Sequence, residues 1–450
     1  MKFDVLIIGG GPGGTEAARI LARAGKKVGL IEYREIGGTC LNRGCIPAKT
    51  MLFSAEMFRL GKKIRNYGIR FCEDTPSYDF DGMVAKRQEI MEKLRKGLTF
   101  LCKKDGVELI EGKAAVISDN QVLVNGTDTY EADYIVLATG GGARKFPGYV
   151  DNDERFLISD NIFELKSFPE SMVIVGGGAV GTEFATFFNT FGVKVSIVDM
   201  SPVILTYYDH DLGRELAKSF KKDGIDVYTE TKITHIDTSN PKLAFTLSNG
   251  VTIEADKVLS AIGIVPTVEY LAKSNVKVSD KGRVETNEHM QTSVSNIYAL
   301  GDAVGKAGSA YGAEREGVYI AHHILGSGFE NYNLDYVHFP DVVFTDPEVA
   351  TCGYSEQELV AAGTDFKVLK AFFLANGKAL IKGDTRGFCK ISVDAKTDVV
   401  LGVHIIGPQA TEIIHTVPIA LDMKLTAKQL RRYVWGHPVL AEIVKETLHS

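Results

Sequence analysis

The sequence predicts an α/β fold in which one strand–turn–helix–strand unit occurs twice and an α+β region closes the chain. Three observations carry that prediction. Residues 5–32, VLIIGGGPGGTEAARILARAGKKVGLIE, resemble residues 172–199, MVIVGGGAVGTEFATFFNTFGVKVSIVD. Each copy runs from an apolar stretch of strand length through a glycine turn into a helix-period segment, then a second apolar stretch ending in an acid. From about residue 334 onward, strand and helix patterns alternate. The 450 residues suit about three domains at roughly 150 residues each. A composition of 45% hydrophobic and 24% charged residues fills several cores and excludes a disordered chain or a disulfide scaffold.

Charge and hydropathy narrow the partners. With 51 basic against 57 acidic residues, the net charge of −6 leaves no electrostatic footprint for nucleic acid. No apolar run approaches the ~20 residues that cross a bilayer, and the N-terminus lacks the pattern of a signal peptide. The expectation is a cytoplasmic protein with neither nucleic acid nor membrane as partner.

The first copy places Gly9, Gly11 and Gly14 in its turn and Glu32 at the end of its second strand; the second places Gly176, Gly178, Gly181 and Asp199. Both span 23 positions from first glycine to acid. In such a unit the first glycine allows the tight turn, the second lets a pyrophosphate approach the backbone, and the third lets helix and strand pack closely. The helix N-terminus offers free N–H groups to the phosphates, and the acid accepts a ribose diol. The chain therefore reads as two Rossmann-like dinucleotide-binding domains, and two dinucleotides are implied. Asp199 is followed by Met200, Ser201 and Pro202, with no cation for a 2′-phosphate, which favours NAD over NADP.

Two of the six cysteines need their own explanation. Cys40 and Cys45 stand five positions apart in GGTCLNRGCIPAKT, residues 37–50, whereas Cys72, Cys102, Cys352 and Cys389 are scattered. A short glycine-rich loop brings two such Cα atoms within disulfide reach, under about 7 Å. So small a ring removes little chain entropy, so a structural staple is a poor motive. No other His or Cys pair has ligand spacing, and no metal is expected. Two unrelated buried cysteines are the bland alternative; a dithiol that exchanges electron pairs with a flavin is the sharp one. Near the C-terminus His437 precedes Pro438 and Glu442. A thiol of ordinary pKa is mostly protonated at neutral pH, and an imidazole oriented by a carboxylate takes such a proton.

The cysteine segment resembles the active-site segment of the FAD-dependent pyridine nucleotide–disulfide oxidoreductases, especially the members that oxidise dihydrolipoamide. Further marks follow in family order: ATGGGA at 138–143, TSVSNIYALGDAVG at 292–305, FTDPEVATCGYSEQEL at 344–359, GPQATEII at 407–414 and HPVLAE at 437–442. The resemblance implies Cys40 and Cys45 as the redox pair, His437 and Glu442 as the acid–base pair, and Lys49 pairing with Glu183 beside the flavin. Glu16 holds the place of Glu183 in the first copy, with no chemical role expected. FAD would be held by Gly9, Gly11, Gly14, Glu32, Thr39, Lys49, Ala114, Thr139, Gly140, Asp302 and Ala310. NAD would be held by Gly176, Gly178, Gly181, Glu183, Asp199 and Gly263. Dihydrolipoamide or a lipoyl-bearing domain is the implied substrate, and a homodimer the implied assembly, with His437 acting on the partner's disulfide. The alternatives are an NADH-dependent reductase of another small disulfide or a quinone, and a chiefly structural subunit of a lipoyl-bearing complex.

The expected division is a FAD-binding domain over 1–147, an NAD-binding domain over 148–266, a return segment over 267–333 and an interface domain over 334–450. Residues 80–104 read as one long helix, with Met83, Ile90, Leu94, Leu98 and Leu101 as a packing stripe. His322 and His323 point to different faces, and His404 and His415 read as structural. The chain departs from the family pattern at four places. Arg43 puts a cation between the cysteines, Tyr311 and Trp435 replace frequent histidines, and Ile264 replaces a frequent arginine.

Overall fold

The computed structural model describes residues 1–70, 76–328, 332 and 334–450; Cys72 and the expected boundary at residue 333 lie outside them. The first copy opens the first sheet. β1 (Lys2–Ile8) turns into α1 (Pro12–Arg23) and returns as β2 (Val28–Glu32). Then come α2 (Gly38–Arg43), α3 (Cys45–Lys63), α4 (Phe80–Lys104), β3 (Glu108–Glu111), β4 (Ala114–Ser118), β5 (Gln121–Val124) and β6 (Asp128–Leu137). The parallel order is β3-β2-β1-β6, with Val5 between Val28 and Tyr134, and β5 and β4 extend antiparallel from the start of β6.

The second copy builds the second sheet. After β7 (Gly141–Ala143) and β8 (Phe156–Ile158), β9 (Ser171–Val175), α5 (Ala179–Thr190) and β10 (Lys194–Val198) repeat the unit. α6 (His210–Lys222) and β11 (Asp226–Tyr228) follow, then a meander of β12 (Ile233–Asp237), β13 (Leu243–Leu247) and β14 (Thr252–Ala255), and finally β15 (Lys257–Ser260). The order β11-β10-β9-β15-β8 is parallel throughout. Successive residues of a strand face opposite sides. Met172 and Ile174 accordingly pack into one core with Phe184 and Phe188 of α5, while Val173 packs into another with Phe245 of the meander.

β16 (Ile264–Pro266) pairs with β7, so the chain leaves the second unit beside the point where it entered. β17 (Ile297–Ala299) then joins the first sheet, Ile297 opposite Ile135, and α7 (Ala310–Leu325) crosses α1. Glycines permit that crossing, because a Cβ on Gly317 would lie 2.3 Å from the Gly13 carbonyl oxygen. The remainder is an antiparallel sheet, β18 (Asp341–Val343), β19 (Glu348–Gly353), β20 (Phe366–Phe372), β21 (Phe388–Asp394) and β22 (Val400–Gly407), in the order β18-β19-β22-β21-β20. The C-terminal helix Glu442–Leu448 contacts β20 and β21, completing the α+β region.

A buried ionic network ties this last sheet to the second unit. Lys390 on β21 is 1% exposed, and its ammonium meets Asp209 at 2.6 Å, Glu356 at 2.9 Å and Asp211 at 3.1 Å. Asp209 caps α6 by accepting from the Asp211 N–H. His404 is buried with its ring between Thr351 and the Tyr354 carbonyl, the structural role expected of it.

The long helix expected over 80–104 is α4, but its stripe is covered only toward the ends. Met83 and Leu98 pack against cores, whereas Leu94 and Leu101 are exposed and the buried α4 residues are Arg87 and Cys102.

Candidate active site

The two glycine turns assign the same duty to each glycine. A Cβ on Gly9 would lie 2.2 Å from the Ala138 carbonyl oxygen, and one on Gly176 2.4 Å from that of Ala261. Both adopt left-handed φ, +110° and +106°. A Cβ on Gly14 would lie 2.1 Å from the Gly9 oxygen, and one on Gly181 2.0 Å from the Gly176 oxygen, so helix and strand touch there. At Gly11 and Gly178 a Cβ would meet nothing within 4 Å. Those two backbones face open cradles at the N-termini of α1 and α5, where no side chain caps the free N–H groups. The donor set fits a pyrophosphate at each cradle.

The acids hold their own turns. Glu32 accepts from the N–H groups of Gly10, Tyr33 and Arg34, each at 2.8 Å. Asp199 accepts from Gly177 at 2.6 Å and Ser201 at 2.7 Å. A fixed carboxylate at the tip of each second strand retains lone pairs for a ribose diol.

The cysteines are not on a loop, as the glycine content suggested. Cys40 lies in α2 and Cys45 is the first residue of α3. Gly37 and Gly38 turn the chain with φ of +97° and +57°, and the Asn42 amide, donating to the carbonyls of Gly38 and Ile36, closes the turn into a helix. Both cysteines are free thiols, close enough for each to shift the titration of the other. The Cys40 hydrogen bond brings the Cys45 thiol down to about 7, with Lys49 helping against desolvation, while the same bond pushes Cys40 up. The pair is thus biased toward a thiol at Cys40 and a thiolate at Cys45.

Lys49 on α3 donates to Glu183 on α5 at 2.7 and 2.9 Å, joining the two copies beside the dithiol. Glu183 is buried and also accepts from the Phe344 N–H at 3.0 Å, and the Phe344 ring lies 4.9 Å from Lys49 Nζ. Glu16, its counterpart in the first copy, pairs instead with Arg19 and Arg23 on its own helix. Arg43 donates to Glu35 at 2.9 Å, so its charge is spent away from the thiols.

His437 Nδ1 lies 3.0 Å from Glu442 Oε2, which also accepts from the Val439 N–H at 3.1 Å. That N–H, then His437, holds the Glu442 carboxyl below its usual range. Glu442 is buried, whereas the His437 side chain is 76% exposed. A fixed imidazole with a free outer edge suits a proton carrier for a group presented from outside. Trp435 packs against the core of the last sheet and serves as an anchor.

Most of the remaining sites are backbone positions, with two exceptions. Asp302, in a turn after β17, has no hydrogen-bond partner among the described residues, and desolvation pushes its carboxyl up; a ligand hydroxyl fits it. The Thr139 hydroxyl is already committed to the Thr267 carbonyl and Tyr270. Gly140 and Gly263 take left-handed φ with open space where a Cβ would stand. Thr39 lies in α2, Ala114 opens β4 and Ala310 opens α7. Sequence reasoning missed Phe344, Tyr208 and Asp341, which reach this region by sheet topology and carry no periodic signal.

The family described as pyridine nucleotide-disulphide oxidoreductase matches residues 3–317, and its dimerisation domain matches residues 339–448. A protein named dihydrolipoyl dehydrogenase from Chlamydia muridarum is 36% identical, covering 99% of this chain and 96% of its own. One of the same name from Bacillus subtilis is 34% identical, with 100% and 98% covered. Among solved structures, a Cu(II) complex of the HOCl-induced flavoprotein disulfide reductase RclA from Escherichia coli superposes with a TM-score of 0.90 at 26% identity, covering 100% of this chain and 99% of that one. Among the described residues no helix is long and apolar enough to cross a membrane.

Proposed function

The chain belongs to the pyridine nucleotide–disulphide oxidoreductase family, flavoenzymes that work with FAD and a pyridine nucleotide, and on that premise we propose that it oxidises dihydrolipoamide, free or on a lipoyl-bearing domain, with NAD⁺ through Cys40 and Cys45. The observation that carries this reading is the polarised dithiol beside the Lys49–Glu183 bridge, between two cradles shaped for pyrophosphates. In this reading the FAD lies on Gly9, Gly11, Gly14, Glu32 and Asp302, and NAD⁺ on Gly176, Gly178, Gly181 and Asp199. Residues 1–147 and 267–333 form the FAD-binding domain, 148–266 the NAD-binding domain and 334–450 the interface domain.

FAD, when bound, relays the electron pair between the dithiol and NAD⁺. The chain's own residues do the rest. His437, held by Glu442, takes the proton of one substrate thiol. The resulting thiolate attacks Cys40 of the oxidised pair, the Cys40–Cys45 bond breaks, and Cys45 departs as a thiolate stabilised by Lys49. The second substrate thiol attacks the substrate sulfur bound to Cys40 and hands its proton to the departing Cys40 sulfur. The substrate leaves as a disulfide, Cys40 is left as a thiol and His437 keeps the first proton. Lys49 then favours passage of the electron pair from Cys45 by compensating the negative charge that accumulates beside it.

The exposed His437 ring supports an arrangement in which it serves the dithiol of a second copy. Phe53, Met57 and Leu60 on α3 and Leu94, Phe100 and Leu101 on α4 are exposed apolar residues that a homodimer would cover. The deciding experiment is anaerobic NADH formation from NAD⁺ and dihydrolipoamide. Cys45→Ser is expected to abolish it while leaving some NADH oxidation by artificial acceptors, and normal turnover by that variant would overturn the mechanism. His437→Gln should lower turnover by about 10²–10⁴. A second reading, reduction of another disulfide at the expense of NADH, draws on the likeness to RclA; NADH oxidation by glutathione disulfide in parallel, outpacing the dihydrolipoamide reaction, would select it.

A further inference from the structure

Three segments far apart in the chain converge at a place that the mechanism leaves unused. Tyr311 lies in the first turn of α7, Asp341 opens β18 and Tyr208 precedes α6. The Tyr311 hydroxyl donates to Asp341 Oδ1 at 2.7 Å. Tyr208 is close enough to feel the charges of both Asp341 and Glu183, and Tyr311 feels Tyr208 in turn.

Two further contacts fix where this group stands. Ala313, two residues beyond Tyr311, presses its carbonyl against Gly13 beside the first cradle. Phe344, three residues beyond Asp341, holds Glu183 with its N–H and faces Lys49 with its ring. The chain beside Tyr311 therefore runs to the first cradle at Ala313, and the chain beside Asp341 runs to the Lys49–Glu183 bridge at Phe344, the two ends of the span that a dinucleotide on Gly11 would cover to reach Cys45. Neither member is sealed in a core. Tyr311 is 39% exposed and Asp341 is exposed, yet desolvation still pushes the Asp341 carboxyl up. Accessible surface combined with desolvation describes the wall of a cleft. Among the described residues no cation pairs with Asp341; its neighbours are the two tyrosines and the Cys352 thiol.

We propose that Asp341, positioned by Tyr311, faces the flavin ring and lowers its reduction potential. The inference rests on the FAD placement given above. Reduction by a hydride equivalent adds two electrons and one proton, leaving the ring one charge more negative. A carboxylate across a cleft opposes that charge and the Lys49 ammonium favours it, so the two residues set the potential from opposite sides. Asp341 acts on the ring, and Tyr311 acts through Asp341.

The test uses the full chain loaded with FAD, carrying Cys45→Ser so that the flavin is the redox centre that titrates against a reference dye. Asp341→Asn is expected to raise the ratio of reduced to oxidised flavin about tenfold at a fixed potential, equivalent to about 30 mV for a two-electron couple. Asp341→Ser should act in the same direction, and it replaces the first variant if that one fails to fold. Tyr311→Phe should shift the potential alone but add less than twofold on top of Asp341→Asn, the signature of a residue acting through another. A change below threefold, or toward the oxidised flavin, in an Asp341 variant that binds FAD would overturn the proposal. Failure of the parent protein to bind FAD would instead overturn the cofactor reading beneath it.

Discussion

Set side by side, the two glycine cradles share a backbone and differ in what covers them. In the first, α7 lies across α1, and Gly13 is buried against Ala313. In the second, the equivalent residue is Val180, 45% exposed, and Met200 and Tyr207 nearby are 75% and 95% exposed. The equivalent glutamates diverge in the same way. Glu16 joins a local ion-pair cluster with Arg19, Arg23 and Asp105, whereas Glu183 crosses to Lys49 in the other unit. The repeated element supplies phosphate recognition, and its surroundings decide residence. A cradle whose helix is packed over suits a cofactor that stays; one whose helix is exposed suits a dinucleotide that must leave after each turnover.

The sharpest way to break this comparison is to fill each cradle. Gly11 and Gly178 have extended backbones, φ −71° and −75°, with open space at Cβ, so valine at either position leaves the fold intact. Gly11→Val is expected to yield folded, colourless protein, with FAD affinity down at least 100-fold, about 3 kcal/mol. Gly178→Val should stay yellow while its KM for NAD⁺ rises by a similar factor. Loss of flavin from Gly178→Val, read by absorbance, would show that the cradles are not independent.

The glutamates give a smaller contrast. Glu183→Gln leaves a partly buried ammonium with a weaker partner and should cost turnover by roughly ten- to a hundredfold. Glu16→Gln should leave turnover unchanged and stability within about 1 kcal/mol, because Arg19 keeps Asp105 at 2.8 Å; thermal melts and steady-state rates check both. Asp199→Ser, by removing the charge that repels a 2′-phosphate, should raise the NADP⁺ to NAD⁺ preference about tenfold, measured as a ratio of kcat/KM values.

The least change is expected at the junction between the copies. Cys45 has its thiol lowered from 9.0 to about 7. Its thiolate is therefore present above that midpoint and lost as the pH falls through it. Alkylation by iodoacetamide should follow a midpoint near pH 7, and Lys49→Gln should move that midpoint upward, because the lost ammonium favoured the charged form.

How much of this was legible depends on the range of the interaction. The repeated units could be read because each carries its whole strand–turn–helix–strand pattern within 28 residues, and one glycine of each turn is dictated by a contact inside the unit, Gly14 against Gly9 and Gly181 against Gly176. The Lys49–Glu183 bridge spans 134 positions and entered only through family resemblance. Tyr208 and Asp341 went unread, and Phe344 was quoted in a motif without a role, because the second unit and the last sheet bring them together and none lies on a periodic stripe. The cysteine segment was expected as a loop because its glycines suggested one. The Asn42 side chain, donating back to three carbonyls, makes it helical, and no composition rule marks that. The α4 stripe announced a helix correctly and its cover incorrectly, since apolar spacing says which face is greasy and nothing about what lies over it.

The Lys390 network limits how this molecule can be rearranged. Its cation comes from β21, while Asp209 and Asp211 come from the segment that starts α6 in the second unit. A chimaera that imports the last sheet from a relative without that lysine would leave the buried Asp209 without its cation; one importing the nucleotide unit alone would leave the ammonium with Glu356 as its one remaining carboxylate. An ion left buried without its partner costs about 3–5 kcal/mol, a large share of a domain's stability. The repeated nucleotide units look like interchangeable parts, but the second one is keyed to its neighbour by charge, and recombination that ignores the key should yield chains that fail to assemble.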